Sequence, residues 1–165
     1  MNTVTVIFYF FLVTAAIGAV AVLFSGNVFK SAIYLLVTLL SIASLYALLY
    51  AELLAVAQIL VYAGGITVII IFGVMLTTRI SGKPLVVANT HLASGGLVGL
   101  GLFGLLTSCL HALPSHEERL SPQNIDGIAF SIFSQYSLPF EVAGLMLLIA
   151  LIGAAVITSH LKSKT

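Results

Sequence analysis

The chain is 165 residues long, 61% hydrophobic and 7% charged, with a formal net charge of +1 and a mean hydropathy of +1.22. A soluble domain carries about 25% charged residues, so this much apolar surface has no single core to hide in, and the chain reads as an integral membrane protein. No basic field exists to hold nucleic acid, and the lone Cys109 cannot form an intrachain disulfide or by itself ligate an iron–sulfur cluster or structural zinc.

The few charges divide the chain. Stretches 1–29, 31–51, 53–78, 84–116 and 142–161 contain no Asp, Glu, Lys or Arg. Each supplies the roughly 20 apolar residues that a spanning helix needs. The expected fold is all-α: one membrane domain over 1–165, with five transmembrane helices at about 3–24, 31–50, 53–78, 91–113 and 139–160. The runs are continuous and not alternating, which argues against a transmembrane barrel.

The first apolar run exceeds the roughly 7–15 residues of a signal-peptide core, and no Lys or Arg precedes it, so it reads as a span. Ser25-Gly26-Asn27 is a turn cluster. The second helix carries a polar stripe of Ser31, Tyr34, Thr38, Ser41 and Ser44, spaced 3, 4, 3, 3 and so on one face. Such a stripe makes interhelical hydrogen bonds or walls a hydrated path. The link Tyr50-Ala51-Glu52 is so short that helices 2 and 3 are antiparallel neighbours.

Helix 3 holds the most information. Gln58, Tyr62 and Gly65 follow a 4,3 spacing, which predicts a shared face. Tyr62 lies ten residues past Glu52, roughly 15 Å along a helix and near mid-bilayer. A phenol at that depth needs a hydrogen-bond partner. Gly64-Gly65 follows it, and each glycine weakens a helix by about 1 kcal/mol relative to alanine. Two readings stand: close helix packing, or a place where the hydrogen-bond ladder slips into a π-bulge.

Ser81-Gly82-Lys83-Pro84 is a second turn cluster. Helix 4 is glycine-rich, and Gly95 and Gly99 form a GxxxG pair that reads as a packing face. Segment 114–137, with Pro114, Pro122 and the acidic pair Glu117-Glu118, reads as an outer loop or short amphipathic piece. Pro139 suits a first helical position, which would put Glu141 in the first turn of helix 5. Glu52 and Glu141 are therefore either helix-end anions favoured by the dipole or members of a proton or water chain. His91 and His111 bracket helix 4, His116 falls in the outer loop and His160 near the opposite interface, so no metal or buried bis-histidine haem site is expected. Lys30, Arg79, Lys83, Lys162 and Lys164 fall on one side and only Arg119 on the other, which places the N-terminus outside and the C-terminus in the cytoplasm.

Glu52 through Leu76, with its centre Gln58-Ile59-Leu60-Val61-Tyr62-Ala63-Gly64-Gly65, resembles the third helix of subunit J of NADH-quinone oxidoreductase, the mitochondrial chain 6 of respiratory complex I. Leu138-Pro139-Phe140-Glu141-Val142-Ala143 with the apolar run after it is similar to that family's last helix, and Phe29-Lys30-Ser31-Ala32 to its second. Gly65 departs from the family's frequent alanine, and Thr67 from its usual methionine or other apolar residue. The resemblance implies a core membrane-arm subunit of a proton-pumping NADH:quinone oxidoreductase, whose third helix converts between α and π-bulge forms at Tyr62, Ala63, Gly64 and Gly65. It implies that this change opens or closes a water path near Tyr62 and Gly64, for which Glu52, Gln58, Tyr62 and Glu141 are the candidate proton-path residues. It also implies that this chain holds no cofactor, with FMN, iron–sulfur clusters and quinone in other subunits. Its expected neighbours are subunits A, H, K and N and membrane lipid, in a bacterial cell inner membrane. The other readings are a homologous subunit of a plastoquinone-reducing complex, membrane-bound hydrogenase or multisubunit cation/proton antiporter, and a structural membrane scaffold.

Overall fold

The computed structural model describes residues 3–81, 92–112 and 124–162, and every regular element among them is a helix. In chain order these are α1 (Thr3–Phe24), α2 (Val28–Leu48), α3 (Glu52–Ala57), a π-helical segment (Gln58–Ile66), α4 (Thr67–Ser81), α5 (Leu92–Ala112), α6 (Ile125–Ser134) and α7 (Ser137–Lys162). The π segment joins α3 directly to α4, so these three form one continuous third span. Five helices are long and apolar enough to cross a membrane: Thr3–Phe24, Val28–Leu48, Glu52–Leu76, Ser94–His111 and Ser137–Ser159. Gly82-Lys83-Pro84, His91, Pro114, His116, Glu117-Glu118, Arg119, Pro122 and Lys164 lie outside the described residues.

Helix ends differ from the sequence expectation where a local hydrogen bond decides them. α2 starts before Lys30, because the Asn27 side chain accepts the N–H groups of Phe29 at 3.0 Å and Lys30 at 3.3 Å. An asparagine cap satisfies donors that no intrahelical carbonyl reaches. α2 ends at Leu48, and the Ala51 N–H turns back onto the Tyr46 carbonyl at 2.9 Å while the Tyr50 N–H reaches Ala47 at 3.2 Å. This double bond pattern closes a helix with one left-handed residue, usually glycine. Tyr50 fills that place with φ 59°. The chain reverses within a few residues, and α2 and α3 become antiparallel neighbours as expected.

α7 requires a correction. It begins at Ser137, so Pro139 is its third residue and not its first, and Glu141 lies past the first turn. The Tyr136 carbonyl already accepts the Phe140 N–H at 3.0 Å, which closes a turn ahead of the glutamate. Proline is tolerated there because the first helical N–H groups have no intrahelical partner. Within segment 114–137, residues 125–134 form a short apolar helix capped by the Asn124 side chain.

The chain divides into two compact units, Met1–Gln123 and Asn124–Thr165. In the second, α6 turns directly into α7, and Phe133 meets Phe140 edge-on with ring centroids 5.1 Å apart. In the first, α1 packs along α2, and α2 packs against α3, the π segment and α4. Among the described residues of this unit, the buried ones are all small: Gly18, Ala32, Thr38, Ser41, Ala43, Ala55, Ala63 and Thr67. Large apolar side chains point outward, as they can in lipid. Gly95 and Gly99 of α5 have no described atom within 4 Å of an added Cβ.

The polar stripe of α2 acts through its size. Thr38, Ser41 and Ser44 each donate the hydroxyl to the carbonyl four residues back in their own helix, at 2.9, 2.9 and 3.0 Å. The helices can therefore approach without stranding a polar group. At the α1–α2 crossing a Cβ on Gly18 would collide with the Thr38 hydroxyl and come within 3.4 Å of the Tyr34 carbonyl. Gly18→Val is expected to separate α1 from α2 and destabilise their packing by about 1–3 kcal/mol, the usual range for overfilling a tight site. Thermal unfolding of the purified assembly measures it, and an unchanged midpoint would refute it.

Candidate functional site

The site is built by the hydrogen-bond register of the third span. Its covered or partly covered residues include a stripe of Ala55, Gln58, Ala63, Thr67, Ile71 and Val74, with spacings of 3, 5, 4, 4 and 3, and Gly65 beside it. The step of five falls inside the π segment Gln58–Ile66. In an unbroken α-helix Ala63 would lie about 80° around the axis from Ala55. One extra residue per turn takes back about 100°, so Ala55 and Ala63 both become buried.

Local chemistry explains why the slip occurs here. A Cβ on Gly64 would lie 3.1 Å from the Ile59 carbonyl oxygen, tighter than an ordinary contact. The same construction on Gly65 gives 3.6 Å to the Leu60 carbonyl, an ordinary van der Waals distance. Both neighbours are carbonyls five residues back. A methyl at Gly64 would be crowded in this register, whereas Gly65 has room for one.

The end of the π segment is fastened by one residue. The Tyr62 carbonyl accepts both the backbone N–H and, at 2.7 Å, the side-chain hydroxyl of Thr67. Thr67 is completely buried, with 0% relative exposure. Sequence reasoning marked Thr67 only as a departure from a family pattern. The usable signal was a β-branched hydroxyl residue just after the glycine pair in an otherwise apolar run.

The residues expected to carry function are placed as follows. Glu52 opens α3 and is exposed, consistent with a carboxylate in a helix's first turn. Gln58 begins the π segment and is half-buried. Tyr62 is 50% exposed. The expected common face of Gln58, Tyr62 and Gly65 is thus corrected: that spacing assumed an α register, and the step of five puts Ala63, not Tyr62, on the covered stripe. Ala63 is buried, Gly64 is exposed and Gly65 is partly covered. Glu141 is exposed on α7 of the second unit. Among the described residues no three His, Cys, Asp or Glu side chains converge as a metal site would require.

Residues 18–157 match the sequence model of a family described as NADH-ubiquinone/plastoquinone oxidoreductase chain 6. Among its relatives is the chloroplastic NAD(P)H-quinone oxidoreductase subunit 6 of Staurastrum punctulatum, 39% identical over 92% of this chain and 88% of the relative. The F(420)H(2) dehydrogenase subunit J of Methanosarcina mazei is 36% identical over 91% of this chain and 88% of its own. NAD(P)H-quinone oxidoreductase chain 6 of Leptolyngbya boryana is 36% identical over 85% of this chain and 72% of its own.

The two glycines should respond differently to alanine. Gly64→Ala forces its Cβ against the Ile59 carbonyl, and relieving such a contact by bending the backbone costs about 1 kcal/mol. Gly65→Ala meets no such contact. Electron cryomicroscopy of the assembled complex should find the third span shifted toward the α register in Gly64→Ala and unshifted in Gly65→Ala. Equal behaviour of the two variants would show that the close carbonyl does not set the register.

Proposed function

The chain belongs to the NADH-ubiquinone/plastoquinone oxidoreductase chain 6 family, and from that premise we propose that its third span is the moving part of a proton path that couples quinone reduction to proton translocation. The chain is a multi-pass membrane subunit of a complex I-like assembly. The named relatives belong to enzymes with different electron donors, NAD(P)H in some and F(420)H(2) in another. A subunit shared across donors fits a task beyond donor oxidation, in the membrane part.

The observation that carries the proposal is the nine-residue π segment at Gln58–Ile66, in the middle of a 25-residue span. In this reading Glu52, Gln58 and Tyr62, with Glu141 of α7, contribute to a hydrated path. Conversion of the π segment to α turns the residues beyond it by about 100°. That rotation carries apolar side chains such as Val68 and Phe72 across the path beside Tyr62. An unpaired polar group in hydrocarbon costs several kcal/mol, so a path cut by apolar side chains conducts poorly. The switch needs two registers only a few kcal/mol apart, a condition that adjacent glycines favour.

The wider assembly follows the same reading. The redox groups (FMN, iron–sulfur clusters and quinone) belong to other subunits, and this chain binds none. Its neighbours are the membrane subunits that correspond to A, H, K and N. The membrane is a bacterial-type inner membrane, with the N-terminus outside and the C-terminus in the cytoplasm. A reporter fused to the C-terminus should be active only in a cytoplasmic form, and activity only in a periplasmic form would reverse the orientation.

The functional test is Gly64→Val in the intact complex, assayed in membrane vesicles and normalised to assembled enzyme. A branched side chain stiff at χ1 adds to the crowding of the Ile59 carbonyl. Quinone reduction and proton uptake should fall together by roughly fivefold, the loss of the disfavoured register when a near-balanced equilibrium is shifted by about 1.4 kcal/mol. Tyr62→Phe should be milder, since it keeps the ring and removes only the hydroxyl. Normal assembly with proton uptake at the parental rate in Gly64→Val would end the gating reading.

A further inference from the structure

We propose that Thr67 is a positioning residue whose hydroxyl latches the third span in its π register. The proposal rests on the switch reading above and names a control on it. Inside the other helices Thr14 reaches Phe10, Thr38 Tyr34, Ser41 Val37, Thr107 Phe103 and Gly104, and Thr158 Ala154, all carbonyls three or four residues back, while Ser31 at the start of α2 reaches Asn27 four back and, at 3.4 Å, Ser25 ahead of the helix. The Thr67 hydroxyl reaches five back, to Tyr62, at 2.7 Å. Its own N–H lands on the same oxygen. Two donors from one residue therefore grip one carbonyl.

That grip exists in only one register. In an α-helix the N–H of residue 66 takes the Tyr62 carbonyl, and Thr67 pairs with Ala63. The hydroxyl must then abandon Tyr62 and either back-bond to the turn above, which slightly destabilises and bends an α-helix, or find another acceptor. Burial sharpens the choice. Thr67 lies fully covered on the stripe where Ala55 and Ala63 are buried, and a return to α would rotate it off that stripe by about 100°. The switch therefore moves the hydroxyl and the covered face together. The gripped carbonyl belongs to Tyr62, so the latch also holds the backbone of the residue whose phenol the proposed path uses.

Valine is the informative replacement. It keeps the branched shape of threonine and removes the hydroxyl. The Tyr62 carbonyl retains the N–H of residue 67, so no buried acceptor is orphaned. The experiment uses the assembled complex carrying Thr67→Val, Thr67→Ala or Thr67→Ser. Particles from electron cryomicroscopy are sorted by the register of the third span, and donor-driven quinone reduction and proton uptake are measured on the same preparations.

Thr67→Val should lower the π-to-α ratio by about 2- to 10-fold, the range expected for one net hydrogen bond, while assembly is unchanged. Thr67→Ser should restore the parental ratio. Should the valine variant fail to assemble, Thr67→Ala provides the same hydroxyl-free comparison. A parental π fraction in the hydroxyl-free variants overturns the latch. So does a serine variant that matches valine, because the γ-methyl would then carry the effect. The two readings separate cleanly. A lowered π fraction with parental coupled activity leaves the latch standing and removes the gate. A Gly64→Val complex that loses activity while Thr67→Val keeps its π fraction leaves the gate and removes the latch.

Discussion

In a bilayer the surrounding hydrocarbon is as apolar as leucine, so burying large apolar side chains between helices offers no advantage over leaving them in lipid. Helices gain by coming close, through dispersion contacts between backbones, and only small residues allow that. The first unit is organised around this constraint. Where α1 meets α2, Gly18 leaves room for the Thr38 hydroxyl. Where α2 meets the third span, the buried residues are Ala, Ser and Thr. The hydroxyls on α2 are tied to their own helix, so they fill space without asking the neighbour for a partner.

The π segment extends the same logic. Lipid tolerates no orphaned backbone group, so a spanning helix cannot simply break at its weak point. Shifting the ladder to partners five residues back keeps the N–H groups bonded while inserting an extra residue in the turn. The insertion brings Ala55, Ala63 and Thr67 onto the covered stripe. Packing on α2 and the slipped ladder therefore support one another: the register supplies small residues to the contact, and the contact covers the hydroxyl that fastens the register. A conformational switch needs such mutual support in each of its states, since packed contacts are bistable and do not deform continuously.

Function in this family's context demands that polarity be present without being locked away. Glu52 and Tyr62 are exposed on the first unit and Glu141 on the second. The apolar outer faces of α5 and α7 suit lipid or helices of other subunits equally well. Gln58 and Tyr62 both lie in the π segment in the middle of the third span.

Much of this was legible in the sequence because it depends on local composition. The number of spans, the all-α class, the reversal at Tyr50-Ala51-Glu52 and the weak point at Gly64-Gly65 follow from charge spacing, apolar run length and glycine's low helix propensity. The family resemblance in helix 3 rests on those same contiguous residues, and the match over residues 18–157 agrees with it. Other features depended on partners that periodicity does not reveal. The start of α2 followed from the Asn27 side chain, and the start of α7 from a turn closed at Tyr136. The covered face of the third span depended on which carbonyl each N–H chose. An α-helical count grouped Gln58, Tyr62 and Gly65, whereas the step of five replaced Tyr62 with Ala63 and drew in Thr67. A one-residue change in hydrogen-bond register turns every later side chain by about 100°. The sequence by itself determined where the helix was weak; the register, and with it the buried face against α2 and the grip of Thr67 on Tyr62, is set only in the folded chain, because it depends on which carbonyl each N–H pairs with.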